Sequence, residues 1–224
     1  MIHASNFENL QVICKRYGAK LVAVSKTKPV SDIIELHTSG QVDFGENKAQ
    51  ELREKQPECP DTIRWHMIGH LQRNKVKYIA PFVSLIHSVD SMRLLRKINE
   101  EAEREDRVIP CLLQMHIAEE STKFGLDEGE LHGILESAEY KQMRYVDLQG
   151  LMGMATFTED EKQVRREFRN VRKLFEAVKK DYFEDDSSFQ ELSMGMSGDY
   201  QIALEEGSTI VRVGSLIFGE HQAH

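Results

Sequence analysis

The sequence predicts an α/β protein folded as a single closed (β/α)8 barrel with one extra helix at the N-terminus. Three observations lead there. Short apolar runs of strand length alternate with helical patterns, and eight such runs can be counted. The first of these, LVAVSK (21–26), is almost continuously apolar, as a strand covered on both faces is. The chain has 224 residues, near the lower end of the roughly 200 to 250 that such barrels use. At about 150 residues per domain the length favours one domain or two small ones. The rival architecture is an open doubly wound sheet, but no GxGxxG follows the first strand.

Each element has its own signal. Residues 6–18 place Phe7, Leu10, Ile13 and Cys14 on one side of a helix that Gly18 stops. LVAVSK (21–26) is the first strand, and the later strand runs are VDF (42–44), IRWHMIG (63–69), VSLIHSV (83–89), VIPCLLQMHI (108–117), VDLQGLMGM (146–154), FQELSM (189–194) and TIVRVG (209–214). Helical patterns fall between them at 30–39, 46–56, 73–80, 90–106, 127–139, 160–183 and 199–206. The acidic stretch YFEDDSSF (182–189) reads as a solvated loop. The prolines are scattered and no linker interrupts the chain, so residues 1–224 are expected to form one domain.

Composition narrows the function classes. An apolar fraction of 40% with 29% charged residues is that of a globular chain. No apolar run reaches membrane length and the mean hydropathy is -0.47, so no membrane association is expected. The first residues lack the basic and apolar blocks of a signal peptide. A net charge of -8 argues against coating nucleic acid, yet a local nest of amides can still bind one small anion. Cys14, Cys59 and Cys111 form no CxxC and are odd in number, which suits buried thiols in a reducing cytoplasm.

In such a barrel the chemistry sits where the strands end. On a two-residue period Val22, Val24 and Lys26 share a face. A lysine at the end of an apolar strand is costly to bury when charged; burial lowers its pKa and makes the amine a nucleophile toward carbonyls, and Lys26 is expected to be the inward amine. Lys28 is expected at the rim or in solvent; the alternative is that both lysines are solvated loop residues. In SMGMSGDYQIALEEG (193–207), Gly195, Ser197 and Gly198 precede a helix beginning near Asp199 and offer amides and a hydroxyl to an anion; Asp199 itself is an ordinary candidate for a helix cap. In VRVGSLIFGE (211–220), Gly214 and Ser215 follow the last strand, and phosphate sites in these barrels commonly use the loops after strands seven and eight. Arg212 lies between Val211 and Val213 and needs a partner if buried. It pairs either with a carboxylate such as Glu46 or Asp199, or with a ligand's ring nitrogen or anion, and position leaves both open. His66 and His70 have a spacing that binds zinc on a helix, but here they fall in a strand broken by Gly69, so no metal site is expected.

The segments AVSKTKP (23–29), FGENKAQEL (44–52), WHMIGHLQRNKVKYI (65–79), HSVDS (87–91), KFGL (123–126), GLMGMATF (150–157) and LSMGMSGDYQIALEEGSTIVRVGSLIFG (192–219) resemble the YggS/PROSC family, the pyridoxal phosphate homeostasis proteins. The match runs from about residue 20 to residue 219. The resemblance implies a single-domain TIM barrel of the alanine-racemase type (fold type III) that holds pyridoxal 5'-phosphate (PLP) as a Schiff base. Lys26 matches the family's Schiff-base lysine. Ser197, with the Gly214–Ser215 turn, matches the phosphate cradle, where many relatives carry Thr in place of Ser215. Arg212 matches the arginine beside the pyridine nitrogen, and Asn47 and the segment around His70 look like pocket wall. Gly153 stands where many relatives have Thr and is expected to loosen one side of the pocket.

An arginine cannot accept the ring proton, so the pyridine should stay neutral and stabilise a carbanion weakly. Two-domain alanine racemases complete their site with a tyrosine that needs a second domain and a partner subunit. This chain ends five residues after Gly219 and is expected to have no room for one. The resemblance therefore implies a non-catalytic, monomeric, cytoplasmic protein of PLP homeostasis, with PLP-dependent apoenzymes as candidate recipients. The alternative is a racemase-like PLP enzyme, for which His70, Tyr200 and Lys28 are candidate second bases. A class I aldolase with a lysine imine and a phosphate site is a third reading.

Overall fold

A computed structural model describes residues 2–117 and 124–219. Lys123 of the KFGL segment and Glu220 at the end of VRVGSLIFGE lie outside the described residues. The strands are β1 (Lys20–Val24), β2 (Asp43–Glu46), β3 (Arg64–Met67), β4 (Leu85–Val89), β5 (Ile109–Met115), β6 (Val146–Gly153), β7 (Glu191–Ser193) and β8 (Ile210–Val213). They pair in chain order, all parallel, and β8 closes on β1 with Lys20 opposite Ile210 and Val22 opposite Arg212. The predicted closed barrel is the observed one, and α1 (Ala4–Tyr17) is its extra N-terminal helix.

Strand parity sorts the side chains into two cores. Leu21, Ala23, Phe44, Trp65, Leu113 and Val211 face outward and join the helices in the larger core. Val22, Leu85, Leu112, Met152 and Ile210 face inward and pack on one another as a separate cluster. Asp43, His66, His87, Ser193 and Arg212 share that inward parity and are equally buried. The barrel interior is thus part apolar and part polar.

The connecting helices are α2 (Val30–Thr38), α3 (Ala49–Lys55), α4 (Met92–Arg104), α5 (Glu128–Glu136), α6 (Ala138–Gln142), α7 (Glu161–Tyr182), α8 (Tyr200–Glu205) and α9 (Ser215–Phe218). Local chemistry sets their ends. Asp127 and Glu130 form a reciprocal capping box on α5, and Ser91 and Asp160 accept amide hydrogen bonds at the starts of α4 and α7. The helix expected at 127–139 is two, because the Ser137 backbone is extended and its hydroxyl accepts from Tyr140 N–H to start a new turn. The helix expected from residue 46 starts at Ala49, since Glu46 completes β2. The segment expected as a helix at 73–80 is a 3-10 helix, Arg73–Tyr78, anchored by one buried side chain, Val76. No helix among the described residues is long and apolar enough to cross a membrane. All three cysteines are buried thiols; burial raises the Cys14 thiol to about 11.

Candidate functional site

A cavity of about 500 Å³ opens at the C-terminal ends of the strands, and Lys26, Asn47, Ser197, Arg212, Gly214 and Ser215 all line it. That volume suits a small organic ligand. His70, Ile68 and Gly69 wall it from the end of β3, which agrees with the expected role of that segment.

Lys26 stands on a clamped turn just beyond β1. Ser25 is fully buried and its Oγ donates to Glu46 Oε1 at 2.6 Å. Lys55 Nζ donates to Ser25 O at 2.8 Å, Glu46 Oε1 at 2.8 Å and Glu51 Oε1 at 2.7 Å. Thr27 takes a φ of 60° and gives its N–H to Glu51 Oε1 at 2.5 Å. A left-handed Thr costs roughly 1–3 kcal/mol and persists only where its surroundings hold it; here Glu51 does. The turn on either side of Lys26 is therefore fixed, and Thr27 Oγ1 donates to Lys26 O at 2.6 Å. Val24 and Lys26 share the pocket face as parity requires, and Lys26 is exposed at the cavity mouth. Lys55, by contrast, is buried. Burial pushes the Glu46 carboxyl up, and the charge and hydrogen bond of Lys55 oppose it.

Lys28, expected at the rim or in solvent, is found at the rim. It is partly buried, lines the cavity, and donates from Nζ to the Phe218 and Gly219 carbonyls at 3.1 and 3.2 Å. It fastens the end of α9 and so supports the Gly214–Ser215 turn.

At that turn Gly214 N–H donates to Ser197 Oγ at 3.4 Å. The bond joins the loops after β7 and β8 and leaves the Ser197 hydroxyl proton able to point at an anion. Gly214 packs closely on β1, where a Cβ would lie 3.0 Å from Val24 O and 3.1 Å from Val24 Cβ. Gly195 is required by conformation, with a φ of 94° and no room for a Cβ against Ala203. Asp199 precedes α8 and turns its Oδ1 back to Met196 N–H at 2.6 Å, which tightens the Ser197 loop.

Arg212 is buried in the barrel and reaches the floor of the cavity. Its Nη1 donates to Ser193 Oγ at 2.5 Å and its Nη2 to Gly153 O at 3.3 Å. Glu46, one of its expected carboxylate partners, is held by Ser25 and Lys55 instead. Burial lowers the guanidinium to about 10, with the charge of Asp199 opposing.

The expected loosening at Gly153 does not occur. A Cβ there would point away from the cavity, 2.9 Å from Ile117 Cδ1 and 3.4 Å from Val171 Cγ2. The wall on that strand is Met154, one residue on. Met154, with Gln114 of β5, was missed by sequence reasoning; both share the inward parity of Met152 and Leu112, and extending that count by two residues would have found them. Phe124 and Met196 also line the cavity and carried no periodic signal.

His66 and His70 do not converge. His66 is inside the barrel between Asp43 and His87. His70 sits at the cavity, 3.2 Å from Asp90 Oδ2 through Nδ1 and stacked on Phe124 with ring centroids 4.0 Å apart. Tyr200 is not among the residues lining the cavity.

The donor set suits one kind of ligand: a primary amine on a rigid turn, a hydroxyl and amides on two joined loops, and a guanidinium between them. That arrangement can hold a flat carbonyl compound bearing an anionic group. Residues 3–222 match the family model described as alanine racemase, N-terminal domain. A protein of Aquifex aeolicus named pyridoxal phosphate homeostasis protein is 37% identical, over 96% of this chain and 95% of its own length. PipY of Synechococcus elongatus, solved without PLP, superposes with a TM-score of 0.89 at 32% identity, covering 96% of this chain and 99% of its own. The same protein with PLP bound gives a TM-score of 0.82 at 33% identity, covering 90% and 93%.

Proposed function

Since the chain belongs to the pyridoxal phosphate homeostasis proteins, built on the N-terminal domain of alanine racemase, we propose that it binds PLP at this cavity and serves cellular PLP homeostasis as a binding protein. The observation that carries the reading is the convergence of Lys26, Ser197, Arg212, Gly214 and Ser215 on one cavity of about 500 Å³.

The chemistry PLP supplies there is reversible condensation of its aldehyde with a primary amine, with loss of water. Lys26 is the amine that would hold it, and its exposure at the cavity mouth suits loading and release. Ser197, Ser215 and the Gly214 turn would hold the phosphate. Arg212 would face the ring nitrogen; it only donates hydrogen bonds and stays charged, so it leaves that nitrogen unprotonated. Asn47 would complete the wall.

Three features support binding over catalysis. An unprotonated ring is a weak electron sink. The Lys28 ammonium is committed to two carbonyls. His70 is committed to Asp90 and Phe124. The relatives' name supports the same reading. We further propose that the chain acts as a single-domain monomer in the cytoplasm, with PLP-dependent apoenzymes as recipients.

The test is absorption spectroscopy of the protein mixed with PLP. The wild type is expected to develop a visible band absent from Lys26→Ala, and a full band in that variant overturns the lysine assignment. Incubating the loaded protein with amino acids in deuterium oxide tests the functional class: exchange at Cα at enzyme-like rates, lost with Lys26, contradicts the binding reading.

A further inference from the structure

One continuous chain of hydrogen bonds crosses the barrel interior. Arg64 and Asp43 stand at the N-terminal ends of β3 and β2, where Arg64 Nε and Nη2 donate to Asp43 Oδ1 and Oδ2 at 2.9 and 2.7 Å. His66 Nε2 is 2.8 Å from Asp43 Oδ1, and His66 Nδ1 is 2.9 Å from His87 Nε2. His87 Nδ1 is 2.8 Å from Ser193 Oγ, which accepts from Arg212 Nη1 at 2.5 Å. Asp43, His66, His87, Ser193 and Arg212 are each less than a tenth exposed.

The donors and acceptors admit one neutral solution. Burial raises the Asp43 carboxyl, but the hydrogen bonds of His66 and Arg64 and the charge of Arg64 oppose and outweigh it, so it is an ionised acceptor. His66 Nε2 must then carry a proton. In a neutral imidazole the other nitrogen is bare, so His66 Nδ1 accepts from His87 Nε2–H. His87 Nδ1 is then bare and accepts from the Ser193 hydroxyl, whose oxygen accepts from Arg212. Every bond points the same way, from the guanidinium at the cavity to the carboxylate at the far end. Burial pushes both imidazoles below their ordinary range, which keeps them neutral as this solution requires.

We propose that Asp43, His66, His87 and Ser193 are positioning residues for Arg212, forming a one-way relay that holds its guanidinium and links it to the charge of Asp43 through the barrel. An isolated buried guanidinium is costly, and hydrogen bonds in a chain polarise one another. The arrangement holds Nη1 in the barrel, with Nη2 on the Gly153 carbonyl, while the side chain lines the cavity. What it positions Arg212 against rests on the PLP reading above; the proton arrangement does not.

The test has two arms. In the first, nitrogen-15 NMR of the histidine rings in the full chain without PLP is expected to show His66 and His87 both neutral and protonated on Nε2. A doubly protonated His66, or His87 protonated on Nδ1, overturns the relay. In the second, Ser193→Ala removes one hydroxyl and Ser193→Thr keeps it. Ser193→Ala is expected to move the His87 Nδ1 resonance, weaken PLP binding by roughly tenfold or more, and shift the visible band of bound PLP, while Ser193→Thr restores all three. Asp43→Asn, which touches no part of the cavity, is expected to shift the His66 resonances and the PLP band and serves if Ser193→Ala fails to fold. Unchanged affinity and band in both Ser193→Ala and Asp43→Asn overturns the positioning role. A wild type that forms no band with PLP overturns the proposed function instead, and the ring resonances then decide the relay alone.

Discussion

Asp43 and Lys26 show how a residue's role follows from neighbours distant in the chain. Asp43 opens β2 and receives donors from His66 and Arg64, both on β3. Its folded carboxyl titrates at about 2, against about 3.9 when unfolded. A depressed carboxyl contributes stability that is present above the unfolded value and is lost as pH falls through the folded one. The contribution is on the order of 2 kcal/mol and disappears between about pH 4 and pH 2. In urea unfolding across that range, Asp43→Asn is expected to be less stable than wild type at pH 6, with the gap closing toward pH 2. A gap independent of pH contradicts the pairing. Lys26 makes the complementary point. The alternation of Val22, Val24 and Lys26 was enough to place it on the cavity face. Its exposure was not legible, because the turn that carries it is shaped by Glu46, Glu51 and Lys55, none of which a count along β1 can reach.

At the scale of elements, α3 is tied to the end of β1 by one buried ammonium. Lys55 bonds Glu46, Glu51 and the Ser25 carbonyl at once, with its side chain 10% exposed and that of Glu46 fully buried. Breaking a buried pair by removing one partner leaves the other charge uncompensated, at a cost of roughly 3–5 kcal/mol. Lys55→Met is expected to lose about that much in urea unfolding, and a loss below about 1 kcal/mol contradicts the buried pairing. The strands were legible because each is a short apolar run between turn residues. Helix ends were less so. Glu46 could begin a helix or end a strand, and its backbone pairing with Met67 of β3 and with Ile68 decides for the strand. Arg73–Tyr78 shows a helical pattern in the sequence but is wound as a 3-10 helix with one buried anchor, and α9, with four residues, is too short to leave a periodic signature.

Over the whole molecule, the closed barrel brings the ends of eight strands to one mouth, which is why Lys26, Ser197, Gly214 and Ser215, read at the ends of the apolar runs, meet Arg212 from inside the last run and Asn47, pointed to by the family resemblance, at a single cavity. The same closure hides what lies beneath. The inward polar residues come from β2, β3, β4, β7 and β8, and a sequence does not show which inward positions share a level until the register is known. The Val22–Arg212 pairing that closes the sheet sets Arg212 beside the strand whose turn carries Lys26, so two of the residues proposed to hold PLP are placed by one strand pair. The account depends on Lys26 being the residue that holds PLP. Reducing the loaded wild type with borohydride, digesting it and mapping the modified peptide by mass spectrometry tests this most directly. The account predicts a single phosphopyridoxyl adduct on Lys26; an adduct on Lys28 or Lys55, or none at all, contradicts it.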